Sequence, residues 1–479
     1  MIALGYVSSI IYALICLGIG FFAYKLGAPK KITRKIVHIL IGFEWFILYH
    51  FFGGGIHFLI VCLFFLGILL LSHYKKLLPM IESDEDNSLG TVYYAVAMSI
   101  MALITLFEPD MILLFGMGVL CTSLGDGFAG LFGQLLDTPS NAKIYKNKTI
   151  YGTLFNAIVC FISVGVFQRE FGLEMPSLYI LFTALFATEL ELITGKGLDN
   201  ISVTLGTATL AYFFLNFSGV ENYILPILLT PLMIGFCLTK KALTLSGIVA
   251  AIILGIIVSI AFGNVGFLIL MAFFLGGIIT DKIKNKHKNK GRKNKKHIES
   301  RNHIQVLANG FVAMLSAIFY IITKSDLCAI AFTASLAEAL ADTSASGIGV
   351  ICGRAYDPFR RRSCKPGISG GMSVLGTVTS AISAVVVSLI AFAFDFIDPI
   401  GVLIVSISAF LGAIFDSMLG SLLQVKYRCP VCGEITESAE HCNTSTSRCS
   451  GLAFVTNNAV NLFATIFSGV IAIVLYCLI

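Results

Sequence analysis

Residues 111–136 read MILLFGMGVLCTSLGDGFAGLFGQLL. The segment is long enough to cross a bilayer as one helix, for which about 20 apolar residues are needed. Its one charged residue, Asp126, stands between two glycines. An ionisable group within a membrane span is costly and is a functional candidate by default. The segment therefore predicts a transmembrane helix that carries a functional carboxylate.

The rest of the 479-residue chain has the same apolar character. Hydrophobic residues make up 57% of it, charged residues only 13%, and the mean hydropathy is +0.89. A soluble domain carries about 25% charged residues, so the composition excludes a soluble enzyme. The high apolar content also excludes a disordered chain. We therefore expect an all-α polytopic membrane protein, with no cleavable signal before its first apolar segment.

The apolar segments predict about 16 transmembrane helices. Their approximate ranges are 5–24, 36–52, 56–73, 89–107, 111–136, 150–167, 176–194, 201–217, 222–239, 242–262, 264–280, 304–323, 327–352, 368–394, 400–424 and 452–477. Every second loop is basic, and these loops hold all 33 Lys and Arg residues except Arg169 and Lys324. Because basic loops face the cytosol, the alternation predicts a multi-pass protein of the cell membrane with both termini outside.

One cytosolic loop, residues 281–303, is a low-complexity basic run, DKIKNKHKNKGRKNKKHIESRNH. Such a run is typical of a solvated linker that lies on the anionic inner leaflet. We expect no nucleic acid to bind there.

Small-residue motifs occur in the same order in both halves of the chain. The first half has GTVYYA at 90–95, GDGFAGLFG at 125–133, KTIYGT at 148–153 and GLDN at 197–200. The second half has Asn309–Gly310, ALADTSASGIG at 339–349, KPGISGGMSVLGT at 365–377 and TNN at 456–458. The shared order predicts two homologous modules in parallel orientation, residues 1–239 and 240–479.

These motifs combine groups that suit phosphate and metal chemistry. A carboxylate between two glycines, as at Asp126, can hold a divalent ion and let a phosphate approach. A Gly-Thr pair at a helix start offers N–H groups to phosphate oxygens. Small residues in spans also serve as plain packing contacts, and a buried acid can simply pair with a neighbouring polar group. The repetition of the whole set favours a functional interpretation.

The two halves resemble two families of membrane enzymes. The first half resembles the polyprenol kinases, the dolichol kinase and phytol kinase group, through RKIVHI at 34–39 and the motifs at 90–95, 125–133 and 148–153. The second half is similar to the phytyl-phosphate kinase family of integral membrane proteins. Its motifs are those at 339–349 and 365–377, FDSMLGS at 415–421 and TNNAVNLFAT at 456–465. The resemblance implies a bifunctional kinase that converts a prenol to its monophosphate and then to its diphosphate, with CTP or another nucleotide.

Phosphoryl transfer requires positioning and charge neutralisation, which suggests roles for individual residues. We expect Asp126, Asp342 and Asp416 to hold Mg²⁺, and His38 to accept the proton of the prenol hydroxyl; the alternative for His38 is an interfacial histidine without a catalytic role. Expected substrate or nucleotide contacts in the first half are Arg34, Lys35, Gly125, Gly127, Lys148, Gly152, Thr153 and Asn200. Those in the second half are Arg360, Arg361, Arg362, Lys365, Gly370, Gly371, Ser373, Gly376, Thr377, Asn457 and Asn458. Glu189, Glu191 and Asp199 are further candidates for metal or nucleotide contacts.

The loop 424–451 is rich in cysteine. Its candidate metal ligands are Cys429, Cys432, His441, Cys442 and Cys449. The Cys-Pro-x-Cys-Gly spacing resembles a zinc knuckle, and a cytosolic loop disfavours disulfides. The segment indicates a structural Zn²⁺ site, and the alternative is free thiols in an ordered loop.

Two other functions fit part of the sequence. A cytidylyltransferase that makes a CDP-lipid would share the use of CTP and the membrane setting. A transporter of lipids or prenyl phosphates would share the repeats and the intramembrane acids. Parallel modules with their charged motifs near one face favour the kinase, whose active sites would face the cytosol. Its expected partners are an isoprenoid alcohol, its monophosphate, the nucleotide and membrane lipids.

Overall fold

The computed structural model describes residues 1–77, 89–135, 143–145, 148–195, 197–288, 300–442 and 444–479. These residues are predominantly helical, and many of the helices are long and apolar. The prediction of an all-α polytopic membrane protein is therefore confirmed.

The described residues form seventeen α-helices and nine short strands. Helices α1 to α11 are, in order, Ile2–Lys25, Lys30–Gly42, Glu44–Phe52, Gly55–Lys75, Gly90–Ile104, Met111–Leu120, Gly127–Leu135, Ile150–Glu170, Ser177–Ile193, Asp199–Asn216 and Ile224–Lys240. Helices α12 to α17 are Leu245–Lys288, His303–Thr323, Asp326–Ile348, Val374–Ala393, Pro399–Leu422 and Asn457–Cys477. Strands β1 to β9 are Lys143–Tyr145, Lys148–Thr149, Ala355–Asp357, Arg362–Cys364, Lys426–Arg428, Ile435–Thr436, Glu440–His441, Thr444–Ser445 and Ser447–Ser450.

All of the strand pairs are antiparallel and lie between helices. β1 pairs with β2, β3 with β4, and β7 with β8, while β5 lies between β6 and β9. The longest polar insertion, between α16 and α17, contains five of the nine strands.

The number of membrane spans differs from the sequence-based estimate. In the described part of the chain, twelve segments are long and apolar enough to cross a membrane, and α5 is a shorter apolar helix. The estimate of sixteen is not confirmed. Helix α9 has 17 residues, fewer than the roughly 20 that a span needs. The segments predicted at 242–262 and 264–280 correspond to two helical parts of α12, which meet at a kink where the backbone of Gly263 leaves the helical conformation.

The chain divides into two compact units, Met1–Leu232 and Met233–Ile479. The division falls within α11, one residue after Pro231, which cannot donate a helical hydrogen bond. Each unit buries a hydrophobic core of its own, around Trp45 and Phe115 in the first and around Phe332 in the second. The assignment of residues 1–239 and 240–479 to homologous modules stays a prediction.

The crossing of α6 and α10 in the first unit leaves no room for a side chain at Gly118. A Cβ atom there would lie 2.3 Å from the carbonyl oxygen of Thr204. We expect Gly118→Ala to lower the free energy of unfolding by about 2 kcal/mol, because overpacking forces the helices apart. Thermal unfolding of the detergent-solubilised protein measures the effect. Gly67→Ala is the control, since a Cβ atom at Gly67 has no neighbour within 4 Å. Equal melting temperatures for the two variants would contradict the close crossing.

Candidate functional site

A π-helical segment positions the first predicted carboxylate. The segment Cys121–Asp126 joins α6 to α7 and ends on Asp126; π segments are frequent at functional sites. A Cβ atom at Gly125 would lie 2.7 Å from Cys160, and one at Gly127 would lie 2.3 Å from Ile39. The two glycines therefore allow α8 and α2 to approach on either side of Asp126.

Two predicted residues of α2 lie against this carboxylate. Lys35 Nζ is 2.6 Å from Asp126 Oδ2, and His38 Nε2 is 3.5 Å from the same oxygen. His38 Nε2 also lies 3.3 Å from the carbonyl oxygen of Thr122. All three ionisable side chains are largely buried, with 13–15% of each side chain exposed. The sequence-based grouping of Lys35, His38 and Asp126 thus corresponds to one cluster in space.

Further carboxylates complete this cluster. Lys148, in β2, forms an ion pair with Glu191 of α9, and its Nζ is 3.4 Å from Asp199 Oδ2 at the start of α10. Oxygen atoms of Asp126, Glu191 and Asp199 all lie within 4.8 Å of one another. Oxygen-rich sites of this kind suit hard divalent cations. These three carboxylates, with Lys35, Lys148 and His38, are called the Asp126 cluster below.

The position of Lys148 strongly favours its charged form. Burial by itself would lower the pKa of Lys148, but the negative charges of Glu191, Asp126 and Asp199 raise it above its usual range. These three carboxylates therefore favour the protonated form of Lys148.

A cavity of about 330 Å³ adjoins the Asp126 cluster. Its wall is mostly apolar and comes from α1, α2, α3, α4 and α5; examples are Leu14, Leu17, Val61, Phe65 and Met98. The lining also includes residues of the cluster and its surroundings, namely Arg34, Lys35, His38, Asp126, Asp199 and Asn200. The first unit therefore provides a mostly apolar cavity in contact with a group of charged side chains.

The glycine-threonine motif of the first unit lies outside this lining. Thr149 caps α8, and its hydroxyl oxygen accepts a hydrogen bond from the N–H of Gly152 at 3.2 Å. A Cβ atom at Gly152 would be 3.0 Å from the carbonyl oxygen of Ala129 and 3.6 Å from Gly133 Cα. Gly152 thus serves a close crossing of α7 and α8. The hydroxyl of Thr153 is buried and has no hydrogen-bond partner within the described ranges.

The second unit contains the same local geometry. Ser373 caps α15, and its hydroxyl oxygen accepts a hydrogen bond from the N–H of Gly376 at 3.1 Å. A Cβ atom at Gly376 would be 3.0 Å from the carbonyl oxygen of Ala345 and 3.3 Å from Gly349 Cα. Ala345 and Gly349 follow Asp342 by three and seven residues, and Ala129 and Gly133 follow Asp126 by the same intervals. In each unit, an aspartate-bearing helix therefore crosses the next capped helix at a pair of glycines.

A polar cavity of about 400 Å³ surrounds Asp342 in the second unit. Asp416 of α16 also lines it. Asp416 Oδ2 is buried and has no hydrogen-bond partner in the part of the chain that the structure describes. The predicted residues that line this cavity are Gly370, Gly371, Ser373, Gly376, Thr377, Asn457 and Asn458. The amino-terminal ends of α15 and α17 therefore both contribute to one cavity.

The basic side chains of this cavity are not the predicted ones. Lys284 and Arg301 line it, and Arg301 Nη2 is 2.7 Å from Asp281 Oδ2. Both belong to the basic loop 281–303 that the sequence indicated as a linker; residues 289–299 of that loop lie outside the described ranges. Lys284 and Arg301 lie among many similar basic residues of a low-complexity run, so nothing in the sequence singled them out as cavity residues.

The predicted cluster of Arg360, Arg361, Arg362 and Lys365 lies elsewhere. These residues belong to the β3–β4 hairpin and are not among those that line the cavity. Arg361, Arg362 and Lys365 are exposed, and Lys365 Nζ is 3.7 Å from Glu434 Oε1. The spacing of these residues in the sequence does not indicate that they form a hairpin outside the cavity lining.

Four of the five predicted zinc ligands converge. The ligand atoms of Cys429, Cys432, His441 and Cys442 all lie within 4.8 Å of one another. Hydrogen bonding by the backbone of Cys432 lowers the pKa of the Cys429 thiol to about 6. Cys449 is not part of this set, because its thiol donates to the carbonyl oxygen of Lys426 at 3.3 Å.

Comparison with known proteins identifies the family. The model of the integral membrane protein family DUF92 matches residues 228–469, about half of the chain. The chain belongs to the DUF92 family. The chain is also homologous to the phytol kinase of Synechocystis sp., with 31% identity over 191 residues, 39% of this chain and 80% of that kinase. It is 26% identical to the chloroplast protein VTE6 of Arabidopsis thaliana over 200 residues, 40% of this chain and 60% of VTE6. No solved structure matches the chain.

The pairing of Lys148 with two carboxylates can be tested by stability. We expect Lys148→Met to reduce the free energy of unfolding by about 3 kcal/mol, because it leaves Glu191 and Asp199 without their buried counter-charge. Adding Glu191→Gln to that variant should restore a large part of the loss. Chemical unfolding in detergent measures both variants. An additive loss in the double variant would contradict the pairing.

Proposed function

We propose that this protein is a membrane isoprenoid kinase with two phosphotransfer sites. The first unit would phosphorylate an isoprenoid alcohol, and the second would phosphorylate the resulting monophosphate, with CTP or another nucleoside triphosphate as donor. Homology to phytol kinase supports the reaction class. The observation that carries the proposal is the apolar cavity of the first unit, whose lining includes Lys35, His38 and Asp126.

The first cavity suits a neutral, chain-like acceptor. An isoprenoid gains free energy from burial in proportion to the apolar area removed from water, and the wall of this cavity is mostly apolar. The hydroxyl oxygen of the alcohol would attack the terminal phosphorus of the nucleotide, and the nucleoside diphosphate would leave. The hydroxyl proton would pass to His38, which lines the cavity beside Asp126. General-base assistance of this kind requires hydrogen-bond reach of the proton.

The second cavity suits a charged acceptor. Its lining contains the start of two helices, a glycine-rich segment (residues 366–373), Lys284 and Arg301. Helix amino termini and cations bind phosphate oxygens. A prenyl monophosphate has a second pKa of about 6 by analogy with phosphoserine, so it is already anionic near neutrality. Transfer to it needs charge neutralisation but no general base, which agrees with the absence of histidine from this lining among the described residues.

Magnesium is part of the proposal for both units. The carboxylates of Asp126, Glu191 and Asp199 would hold it in the first unit, and Asp342 and Asp416 in the second. Two observations support these assignments: the first three carboxylates lie within 4.8 Å of one another, and the buried Oδ2 of Asp416 has no hydrogen-bond partner among the described residues. When bound, the ion would neutralise charge on the transferred phosphate.

The repeated geometry supports two related steps in one chain. The same aspartate-to-glycine spacing and the same capped crossing occur in each unit. The alternation of basic loops further supports a cytosolic position for both sites.

Replacing each aspartate separately tests the two-step reaction. With CTP, ATP, UTP or GTP, Mg²⁺ and geranylgeraniol or phytol, Asp126→Asn should lose at least about 100-fold in the first phosphorylation, because a metal ligand is removed. Asp342→Asn should accumulate the monophosphate. Thin-layer or mass-spectrometric analysis of the products distinguishes the steps.

Exposed acids provide matched controls for these two variants. Glu108 follows α5 in the first unit, and Asp326 lies at the opposite end of α14 from Asp342. The variants Glu108→Gln and Asp326→Asn should keep the original product pattern. Release of pyrophosphate instead of a nucleoside diphosphate would select the cytidylyltransferase. Counterflow of lipid in liposomes without nucleotide, together with absent phosphorylation, would select the transporter.

The apolar cavity also predicts a chain-length effect. Ala95 of α5 is 4% exposed and lines the cavity. We expect Ala95→Phe to reduce kcat/KM for geranylgeraniol by about tenfold relative to geraniol, because the added ring shortens the space for the longer chain. Leu103→Phe, on the exposed side of the same helix, is the control. An equal reduction for both alcohols would show that Ala95 does not limit chain length.

A further inference from the structure

The four converging side chains of the α16–α17 insertion form a complete ligand set. We propose that Cys429, Cys432, His441 and Cys442 bind one structural Zn²⁺, and that this metal-bound insertion holds Glu437 against the glycine-rich segment of the polar cavity. Cys449 has no part in the site. The two steps of the argument are the ligand geometry and the position of Glu437.

The ligand geometry fits zinc. Tetrahedral zinc, with bonds of about 2.3 Å to sulfur and 2.0 Å to nitrogen, keeps neighbouring ligand atoms roughly 3.5–3.8 Å apart. His441 Nδ1 is 3.4 Å from Cys432 Sγ and 3.3 Å from Cys442 Sγ. Three thiolates and one imidazole form a closed set that is typical of structural zinc. No fifth histidine, cysteine or carboxylate joins the group among the described residues.

Two separate turns bring the ligands together, as in a zinc ribbon. Cys429 follows β5, and the N–H of Gly433 donates to its carbonyl oxygen at 2.9 Å. Gly433 has a φ of +71°, a conformation that favours glycine and closes the Cys-x-x-Cys turn. His441 and Cys442 lie on the β7–β8 hairpin. Short strands with little apolar burial gain little stability by themselves, so a metal ion that joins both turns would stabilise the insertion directly.

The segment between these two ligand pairs reaches the polar cavity. The carboxylate of Glu437 accepts hydrogen bonds from both the hydroxyl and the backbone N–H of Ser369, the latter at 3.3 Å. Glu437 also lines the cavity together with Asp342. Lys426, at the base of the insertion, donates from Nζ to the carbonyl oxygen of Ser369 at 2.8 Å. The insertion therefore contacts the glycine-rich segment at three polar groups of one residue.

Zinc binding is tested by metal analysis of the full chain purified in detergent without chelators. We expect one zinc per chain by mass spectrometry, and near-complete loss of zinc in Cys432→Ser and in His441→Ala. Cys449→Ser, a cysteine of the same insertion, should retain its zinc. Substoichiometric zinc in the unmodified chain, or equal loss in Cys449→Ser and Cys432→Ser, would overturn the assignment.

Hydrogen–deuterium exchange tests the link to the cavity. Removing zinc with a chelator under reducing conditions should speed exchange roughly tenfold in residues 366–373 as well as in the insertion, since local protection follows local stability. Glu437→Gln should retain zinc and still speed exchange in 366–373, which separates the carboxylate contact from the metal. Unchanged exchange in 366–373 after zinc removal would overturn the link. Neither zinc content nor hydrogen–deuterium exchange requires nucleotide or prenol. Both experiments therefore test the zinc proposal independently of the proposed kinase activity.

Discussion

Both candidate sites depend on one packing constraint. In each unit, a helix that carries a buried aspartate crosses the next helix closely, at a pair of glycines. The crossing needs glycine on both helices, because a Cβ atom at Gly152 or Gly376 would meet a backbone carbonyl at 3.0 Å. The close approach places the capped start of the second helix against the residues three and seven positions after the aspartate. Such small-residue crossings are how membrane helices pack tightly without a hydrophobic driving force between them. A backbone-lined, carboxylate-bearing position results in each unit.

The two units compensate their buried carboxylates differently, and this difference has chemical consequences. In the first unit, Lys35 and Lys148 contact the carboxylates directly, so the cluster carries little net charge and adjoins an apolar cavity. In the second unit, Asp342 and Asp416 line the same cavity, and the basic side chains in that cavity are Lys284 and Arg301. The proposed acceptors, an apolar alcohol in the first unit and an anionic monophosphate in the second, agree with this difference, because each would avoid the cost of unpaired burial.

Sequence patterns predicted the class of fold and singled out the acidic residues of the membrane spans. They predicted only some of the side chains that lie near these acids. A membrane span has few charges, so Asp126, Asp342 and Asp416 stood out, and helical spacing placed Lys35 near His38. Loops carry no such periodicity. Arg360 to Lys365 directly precede a cavity-lining segment, residues 366–373, yet they belong to the β3–β4 hairpin and do not line the cavity. Lys284 and Arg301 do line it, but in the sequence they lie within a run of similar basic residues. Cys449 matched the composition of the ligand set, but its place in β9 pairs it with β5 instead.

The segment that contains Gly370 is held by constraints from several directions at once. Gly370 has a φ of +85°, and a Cβ atom there would lie 2.5 Å from the backbone of Ser421 in α16, so only glycine fits. The preceding residue, Ser369, is bonded to Glu437 and Lys426, and Met372 pairs with Tyr356 of β3 through backbone hydrogen bonds. A segment fixed in this way presents its backbone to the cavity without reorganisation. Preorganised donors stabilise developing charge more than mobile ones, because they lose little entropy when a ligand binds. In the proposal above, the insertion between α16 and α17 would act on the cavity through its contacts with this segment at Ser369.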